Sequence, residues 1–243
     1  MTYCLGIKLK TGLVAIADTR ISSGTETTTA RKVTIYNEEG HSLFLMTSGL
    51  RSVRDKAVTY FNEVIEKEHS TNNFNKLYKA VNAFGEQLRR VASEDRSSLE
   101  KAGLYFNLHA IVGGQLKDDD EHKLYLIYPE GNWIEIGEGT PFVIIGNSGY
   151  GKPILNRTVN YETSISNALK AGFLSFDSTR VSANDVDFPI DVVIYKKNSF
   201  EMIEHRYEKE DMAKISDFWA QELQVALQNI PEEWMNVVLN KVQ

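Results

Sequence analysis

The residue best suited to chemistry in this sequence is Thr2, which directly follows the initiator methionine. Removal of Met1 would leave a hydroxyl group and a free α-amine on the same residue. Because a model α-amine has a pKa of about 7.7–8.0, it can accept the hydroxyl proton near neutral pH. The two groups would form a nucleophile with its own general base, which suits acyl transfer. Threonine follows the initiator methionine in many proteins, so this hypothesis depends on what lies nearby.

The first two predicted strands decide which residues lie near Thr2. Residues 3–9 alternate in polarity, which predicts a half-buried strand, and residues 13–17 are continuously apolar, which predicts a strand buried on both faces. The Thr-Gly turn between them predicts that the two strands form an antiparallel hairpin. In that hairpin the numbers of paired residues add up to roughly 21–23, so Thr2 lies opposite residues 19–21. Asp18 is therefore expected beside the N-terminus.

Lys32 begins the next predicted strand and can reach the same place. An ammonium group beside the Thr2 amine disfavours the protonated amine and keeps it basic, while Asp18 offsets the lysine charge. The alternatives are that Asp18 caps its strand or pairs with Arg20, and that Lys32 lies on a solvated strand edge.

Gly49 follows a predicted strand and precedes a predicted helix. A glycine at that point lets a substrate carbonyl approach the backbone closely, and its N–H could donate to a tetrahedral oxyanion. The alternative is an ordinary turn between a strand and a helix.

Hydrophobic periodicity predicts the elements that must position these residues. Strands are expected at 3–9, 13–17, 32–36, 42–47, 104–114, 123–128, 132–136, 141–146, 190–196 and 200–207. Helices are expected at 53–65, 74–91, 152–160, 163–175, 209–228 and 231–241, and a polar loop at 19–30. Because short turns join consecutive strands, the sheets should be largely antiparallel. The order predicts an α+β fold, a four-layer αββα sandwich of two sheets flanked by helix pairs, in a single domain over residues 1–243.

Composition narrows the classes of partner. The net charge of −6 argues against nucleic acid, whose phosphates need a basic surface. No apolar stretch approaches the roughly 18 residues of a membrane span, and no signal-peptide core stands at the N-terminus. The single cysteine allows no intramolecular disulfide. We therefore expect a cytoplasmic protein with no membrane partner.

Taken together, the candidate residues resemble the proteasome β-subunit family of N-terminal nucleophile hydrolases. Residues 1–9 and 182–191 resemble a bacterial, proteasome-related branch of that family more than HslV or a true β subunit. The motifs that carry the resemblance are Thr2 at the start of the first strand, Ala17-Asp18-Thr19-Arg20, Arg31-Lys32-Val33 and Thr47-Ser48-Gly49-Leu50 before a helix.

The resemblance implies a role for each matching residue. Thr2 would be nucleophile and base, Asp18 and Lys32 would tune it, and Gly49 would supply the oxyanion N–H. The run 146–149 resembles the family's Gly-Ser-Gly turn, which implies that Ser148 hydrogen-bonds the Thr2 amine. Asp177 and Ser182 would match the family's remaining aspartate and serine. Their spacing departs from the usual Asp-x-x-Ser, because Thr179 stands three residues before Ser182.

The same resemblance implies a threonine endopeptidase that acts on peptides or unfolded proteins and needs no metal or organic cofactor. It also implies a homo-oligomer, a ring or open ring with the sites facing inward, without naming an unfoldase or adaptor. Two alternatives remain open. One is a catalytically silent scaffold subunit of the same fold, and the other is an amidohydrolase that acts on small amides.

Other patterns point to different chemistry more weakly. Residues 146–152 fit the phosphate-loop spacing GxxxxGK, but Pro153 stands where a Mg²⁺-binding hydroxyl is required. The acidic run 118–121 could suggest a metal, although it lacks an EF-hand pattern and a solvated loop is the simpler interpretation. The five histidines have no metal-ligand spacing.

Overall fold

The computed structural model describes residues 2–23, 26–38, 40–71 and 74–241. Met1, whose removal the candidate chemistry requires, and Glu39, which lies between the strands predicted at 32–36 and 42–47, are outside these residues. The chain divides into two compact units, Met1–Glu208 and Lys209–Gln243. One domain over residues 1–243 stays a prediction.

The first unit contains twelve described strands and four described helices. Its strands are β1 (Tyr3–Leu9), β2 (Gly12–Asp18), β3 (Arg20–Ser23), β4 (Glu26–Thr29), β5 (Val33–Glu38), β6 (His41–Ser48), β7 (His109–Leu116), β8 (Lys123–Ile127), β9 (Trp133–Glu135), β10 (Phe142–Gly146), β11 (Ile190–Lys196) and β12 (Met202–Tyr207). Its helices are α1 (Arg51–Thr71), α2 (Leu77–Lys101), α3 (Lys152–Thr158) and α4 (Ile165–Ser182).

Two five-stranded sheets form the centre of this unit. One has the order β10-β1-β2-β11-β12 and the other the order β5-β6-β7-β8-β9, while β3 and β4 form a separate ribbon. The neighbouring strands pair in the antiparallel sense throughout. This confirms the predicted antiparallel sheets.

The apolar residues sort into layers between these elements. One core lies between the sheets and includes Cys4, Phe44 and Tyr195. A second core, which includes Phe61 and Phe84, lies where α1 and α2 cover the second sheet. On the far side, α4 packs against β1 and β2. The order helix, sheet, sheet, helix confirms the predicted αββα sandwich.

The prediction that residues 3–9 form a half-buried strand is wrong. All seven residues of β1 are buried, including Lys8. The strand lies centrally in its sheet, so one face packs on the other sheet and the opposite face on α4. Lys8 is tolerated because its Nζ lies 3.2 Å from a carboxylate oxygen of Glu121. The prediction that residues 13–17 are buried on both faces is confirmed.

The predicted polar loop at 19–30 is instead the β3–β4 ribbon. Arg20 pairs with Thr29 and Ile21 with Thr28. The threonines at 27–29 are β-branched and favour an extended backbone. A loop was predicted because these residues are polar, but they form a strand. At the base of the ribbon, the N–H and hydroxyl of Thr19 donate to the carbonyl of Pro189, which ties the ribbon to the chain before β11.

The second unit is helical. It contains α5 (Lys209–Gln228), one turn of 3-10 helix (Glu233–Met235) and α6 (Asn236–Leu239), so the helix predicted at 231–241 is shorter than expected. Of the described helices in either unit, none combines the length and the apolar character that crossing a membrane requires.

Candidate active site

Thr2 lies at the start of β1, between the ends of two neighbouring strands. Its carbonyl accepts the N–H of Asn147 at 2.7 Å, and the next residue, Tyr3, pairs with Gly146. Gly146 has φ +89°, and a Cβ there would overlap the Thr2 carbonyl oxygen. Only glycine therefore allows β10 to end this close to Thr2.

Asp18 ends β2 beside Thr2, as the predicted register requires. Cys4 pairs with Ala17, and Oδ1 of Asp18 accepts the backbone N–H of Tyr3 at 2.7 Å. The same oxygen accepts a hydrogen bond from Nζ of Lys32 at 2.7 Å. Both side chains are buried. Asp18 thus pairs with Lys32 and not with Arg20, whose guanidinium lies 3.0 Å from Asp187.

The electrostatics of this pair follow from its burial. Burial raises the pKa of Asp18 to about 6, although the Lys32 charge and the hydrogen bonds from Lys32 and Tyr3 lower it. Lys32 donates a second hydrogen bond, at 2.7 Å, to the carbonyl of Arg20. Its ammonium group is therefore held in place on two sides next to the chain start.

Gly49 joins β6 to α1 in a conformation that other residues avoid. Its φ is +147°, and a Cβ would lie 2.8 Å from both the carbonyl oxygen of Asn107 and the Cα of Leu108. The turn is therefore not an ordinary one, because the segment that leads into β7 packs directly against its backbone.

Thr2, Lys32 and Gly49 line one open cleft of about 1020 Å³. The ribbon contributes Ile21 and Thr28 to its walls. Asp18 lies beneath the cleft, in contact with Lys32. The cleft thus brings together a hydroxyl residue, an ammonium group and a strained glycine backbone, as the sequence predicts. Such a set can bind an extended chain and stabilise negative charge on a carbonyl oxygen.

The other three predicted residues do not line the described part of this cleft. Ser148 stands one residue beyond Asn147, in the turn after β10, and its carbonyl accepts the N–H of Lys152 at 3.2 Å. Asp177 is buried in α4 and accepts from Arg180 at 2.6 Å. Ser182 is exposed at the end of α4. Their catalytic roles stay predictions.

One acidic residue near the site is missing from the predicted set. Partial burial raises the pKa of Asp185, but positive groups that include the Lys32 ammonium lower it below its ordinary value. This carboxylate is therefore within electrostatic reach of Lys32. A signal was present in the sequence, because Ser182 and Asp185 stand three apart in the reverse of the expected order.

The phosphate-loop interpretation of residues 146–152 disagrees with the structure. The run follows β10, an edge strand of an antiparallel sheet, whereas such a loop needs a parallel core. Two of its three glycines are required by the chain itself, since a Cβ at Gly146 would overlap Thr2 and one at Gly151 would overlap Ser175.

The acidic run 118–121 is explained by structural contacts. Oδ2 of Asp119 accepts the N–H of Leu77 at 2.9 Å and of Leu116 at 3.0 Å, so it supports the start of α2 and the end of β7. Among the residues with described positions, no group of three or more His, Cys, Asp or Glu side chains could hold a metal ion.

The sandwich of two antiparallel sheets, with Thr2 at the start of the interior strand β1, is the fold of the N-terminal nucleophile hydrolases. The proteasome subunit family model matches residues 2–194, so the chain belongs to the proteasome subunit family. The bacterial branch that residues 1–9 and 182–191 resemble is Anbu, and the solved structures confirm that resemblance.

Three Anbu structures match over nearly their whole length. A Gly-1 mutant of Anbu from Hyphomicrobium sp. strain MC1 is 33% identical with a TM-score of 0.87, over 96% of this chain and 99% of that one. Anbu (ancestral beta-subunit) from Yersinia bercovieri is 30% identical with a TM-score of 0.86, over 94% and 98%. The helical assembly of the Anbu complex from Pseudomonas aeruginosa is 29% identical with a TM-score of 0.88, over 94% and 97%. A comparison with curated proteins gives no match.

Proposed function

We propose that this protein is a threonine endopeptidase whose nucleophile is Thr2, exposed by removal of Met1. The observation that carries the proposal is the shared cleft of Thr2, Lys32 and Gly49, with Asp18 paired to Lys32 underneath. Membership of the proteasome subunit family supports it.

In the proposed reaction, the Thr2 amine takes the hydroxyl proton as Oγ attacks the carbonyl carbon of a peptide. The N–H of Gly49 donates to the oxyanion of the tetrahedral intermediate. The amine then returns the proton to the leaving nitrogen, the C–N bond breaks, and an ester forms between Oγ and the acyl group. A water molecule then attacks the ester carbonyl while the Thr2 amine takes its proton. The bond between the carbonyl carbon and Oγ breaks, the proton returns to Oγ, and the carboxylic acid leaves.

In this scheme the pair of Lys32 and Asp18 keeps the Thr2 amine basic. A fixed ammonium near the amine disfavours its protonation, so more of the amine is basic at neutral pH. Asp18 holds Lys32 and keeps the pair neutral. By resemblance, Ser148 hydrogen-bonds the amine, and Asp177 and Ser182 complete the site. We further propose cytoplasmic, homo-oligomeric particles acting on peptides or unfolded proteins, supported by the helical assembly of the Pseudomonas aeruginosa Anbu complex.

Intact mass spectrometry with a peptide epoxyketone tests the proposal. This reagent needs both the hydroxyl and the free amine of an N-terminal threonine to form its ring adduct. Protein made with Thr2 as its first residue, by cleavage of a removable N-terminal fusion, should gain one adduct, and Thr2→Ala should gain none. Processed protein that forms no adduct and cleaves no peptide would indicate a silent scaffold. Cleavage of small amides without cleavage of peptides would indicate an amidohydrolase.

A further inference from the structure

A second, smaller cavity joins the candidate active-site cleft. It measures about 230 Å³, and it shares Lys32, Thr47 and Arg54 with the cleft. Nζ of Lys32 and the backbone N–H of Tyr3 bond the same oxygen of Asp18, so this junction lies directly beside Thr2. A peptide whose carbonyl carbon reaches Thr2 therefore has its nearest side chain, that of the residue supplying the carbonyl, at this opening.

The walls of this side cavity are polar. Hydroxyl-bearing residues line it at Thr34, Thr47 and Thr59, and only Leu45 and Val58 are apolar. An aliphatic or aromatic side chain would remove these polar walls from water without offering hydrogen bonds in return, which is unfavourable. The cavity therefore suits a side chain that can accept or donate hydrogen bonds.

The charge of the side cavity distinguishes between polar side chains. Arg54 donates to Oδ1 of Asp55 at 2.8 and 2.6 Å, and to the carbonyl of Arg31 at 2.9 Å. The second oxygen of Asp55 lies 3.4 Å from Nε of Arg51. The carboxylate of Asp55 thus contacts the guanidinium groups of both Arg51 and Arg54. The three side chains together carry one net positive charge.

The remaining charged groups at the cavity are matched. Lys32 pairs with Asp18. Arg31 pairs with Glu204 and lies 3.8 Å from Asp191, which also binds Arg206. The side chains of Arg31, Glu204, Asp191 and Arg206 together carry no net charge. Glu26 lines the cleft but not the side cavity. The excess positive charge therefore belongs to Arg51, Arg54 and Asp55.

Arg54 and the carboxylate of Asp55 both line the side cavity, and of the two the guanidinium of Arg54 is the more shielded from water. The side chain of Arg54 is 20% exposed, whereas that of Arg51 is 61% exposed and lines only the cleft. A partly buried guanidinium attracts an anion more strongly than a solvated one, because water screens it less.

We propose that this side cavity selects an aspartate or glutamate side chain at the residue that supplies the scissile carbonyl, with Arg54 as the specificity-determining residue. This inference rests on the proposed peptidase function of the same cleft. It concerns the choice among peptides, and the chemistry at Thr2 is unchanged by it.

A matched set of peptide epoxyketones and fluorogenic peptide amides tests the proposal. The set differs only at the last residue, which is Glu, Gln, Leu or Lys, and the readouts are the rate of adduct formation and kcat/KM. We expect Glu to exceed Gln by about tenfold or more, and Lys to react slowest. Arg54→Gln should lower the Glu-to-Gln ratio about ten- to a hundredfold, with both rates expressed relative to the Leu probe for each protein.

Further variants test whether the effect of Arg54 on specificity comes from its charge or from a change in the fold. Arg54→Lys should retain part of the Glu preference, and Arg54→Glu should favour Lys. Arg157→Gln, on exposed α3 outside both cavities, removes the same charge and should change nothing. Adducts on Thr2 without a Glu preference, or a preference that survives Arg54→Gln, would overturn this inference alone. No adduct with any probe on processed protein would overturn the peptidase function together with it.

Discussion

Nζ of Lys32 lies 2.7 Å from Oδ1 of Asp18, and that oxygen also accepts the N–H of Tyr3. One carboxylate oxygen thus fixes both the ammonium group and the start of β1. Because the pair is buried, its charges depend on each other for compensation. The geometry of the chain start and its electrostatics are therefore set by the same contact.

Lys32→Met should remove the compensation and leave Asp18 buried as an unpaired anion. We expect a loss of about 3–5 kcal/mol in the free energy of unfolding at pH 8. The loss should shrink towards pH 5, because Asp18 can then take up a proton. Urea denaturation at both pH values checks this. Lys10→Met is the control, since its pair with Glu162 is exposed and should contribute little to stability.

The protonation of Asp18 should change the free energy of unfolding as a function of pH. Burial raises its folded pKa to about 6, above the ordinary value of 3.8. The folded state then holds a proton that the unfolded state has lost, so stability falls as pH rises through this window. The difference between wild type and Asp18→Asn in urea unfolding should show this slope between about pH 4 and 6. A difference that is flat over the window would contradict the assignment.

The rate of hydrolysis should also depend on the protonation of Asp18. It should increase as pH rises through about 6, whereas stability decreases. Below about pH 6 the protonated Asp18 no longer holds the Lys32 ammonium by a charge-assisted hydrogen bond, so Lys32 loses its fixed position and kcat/KM should decline as pH falls through that value. Fluorogenic peptide hydrolysis from pH 4 to 8 measures it. Activity that persists unchanged down to pH 4 would exclude a need for ionised Asp18.

Gly49→Ala should reduce hydrolysis strongly and also lower stability. The added Cβ would overlap backbone atoms of Asn107 and Leu108 and displace the backbone of Gly49, whose N–H is the proposed oxyanion donor, which should lower kcat of the folded protein about 10²–10³-fold. Gly103→Ala is a matched control, because Gly103 also has a positive φ, +76°, but has nothing within 4 Å of the added carbon. It should cost about 1 kcal/mol of stability and leave hydrolysis intact.

Asp119→Ala should destabilise the fold without affecting chemistry. The backbone N–H groups of Leu77 and Leu116 lose their acceptor, at a cost of about 1–3 kcal/mol in the free energy of unfolding. Asp120→Ala, at an exposed neighbour, should change it by about 0.5 kcal/mol or less. A chelator should alter neither stability nor hydrolysis. Loss of either on chelation would revive the metal interpretation of residues 118–121.

Local patterns in the sequence were sufficient for the elements and for part of the site. Alternation and a Thr-Gly turn predicted the β1–β2 hairpin, and its register brought Asp18 beside Thr2. This works because strand register in a short hairpin is determined by its turn and by the apolar pattern. The same kind of argument failed for residues 20–29, where polar threonines concealed a ribbon that packs at its base on Pro189.

The sequence by itself determined the antiparallel sandwich, the candidate nucleophile and the acid next to it, because these depend on contacts between neighbours in the chain. Only the tertiary structure decided that Asp18 pairs with Lys32 while Arg20 pairs with Asp187. It also decided that Arg54 shares a cavity with Lys32, and that Gly146 is required by the carbonyl of Thr2. These contacts join residues far apart in the chain, and they arise where separate strands and helices pack together, which local periodicity does not encode.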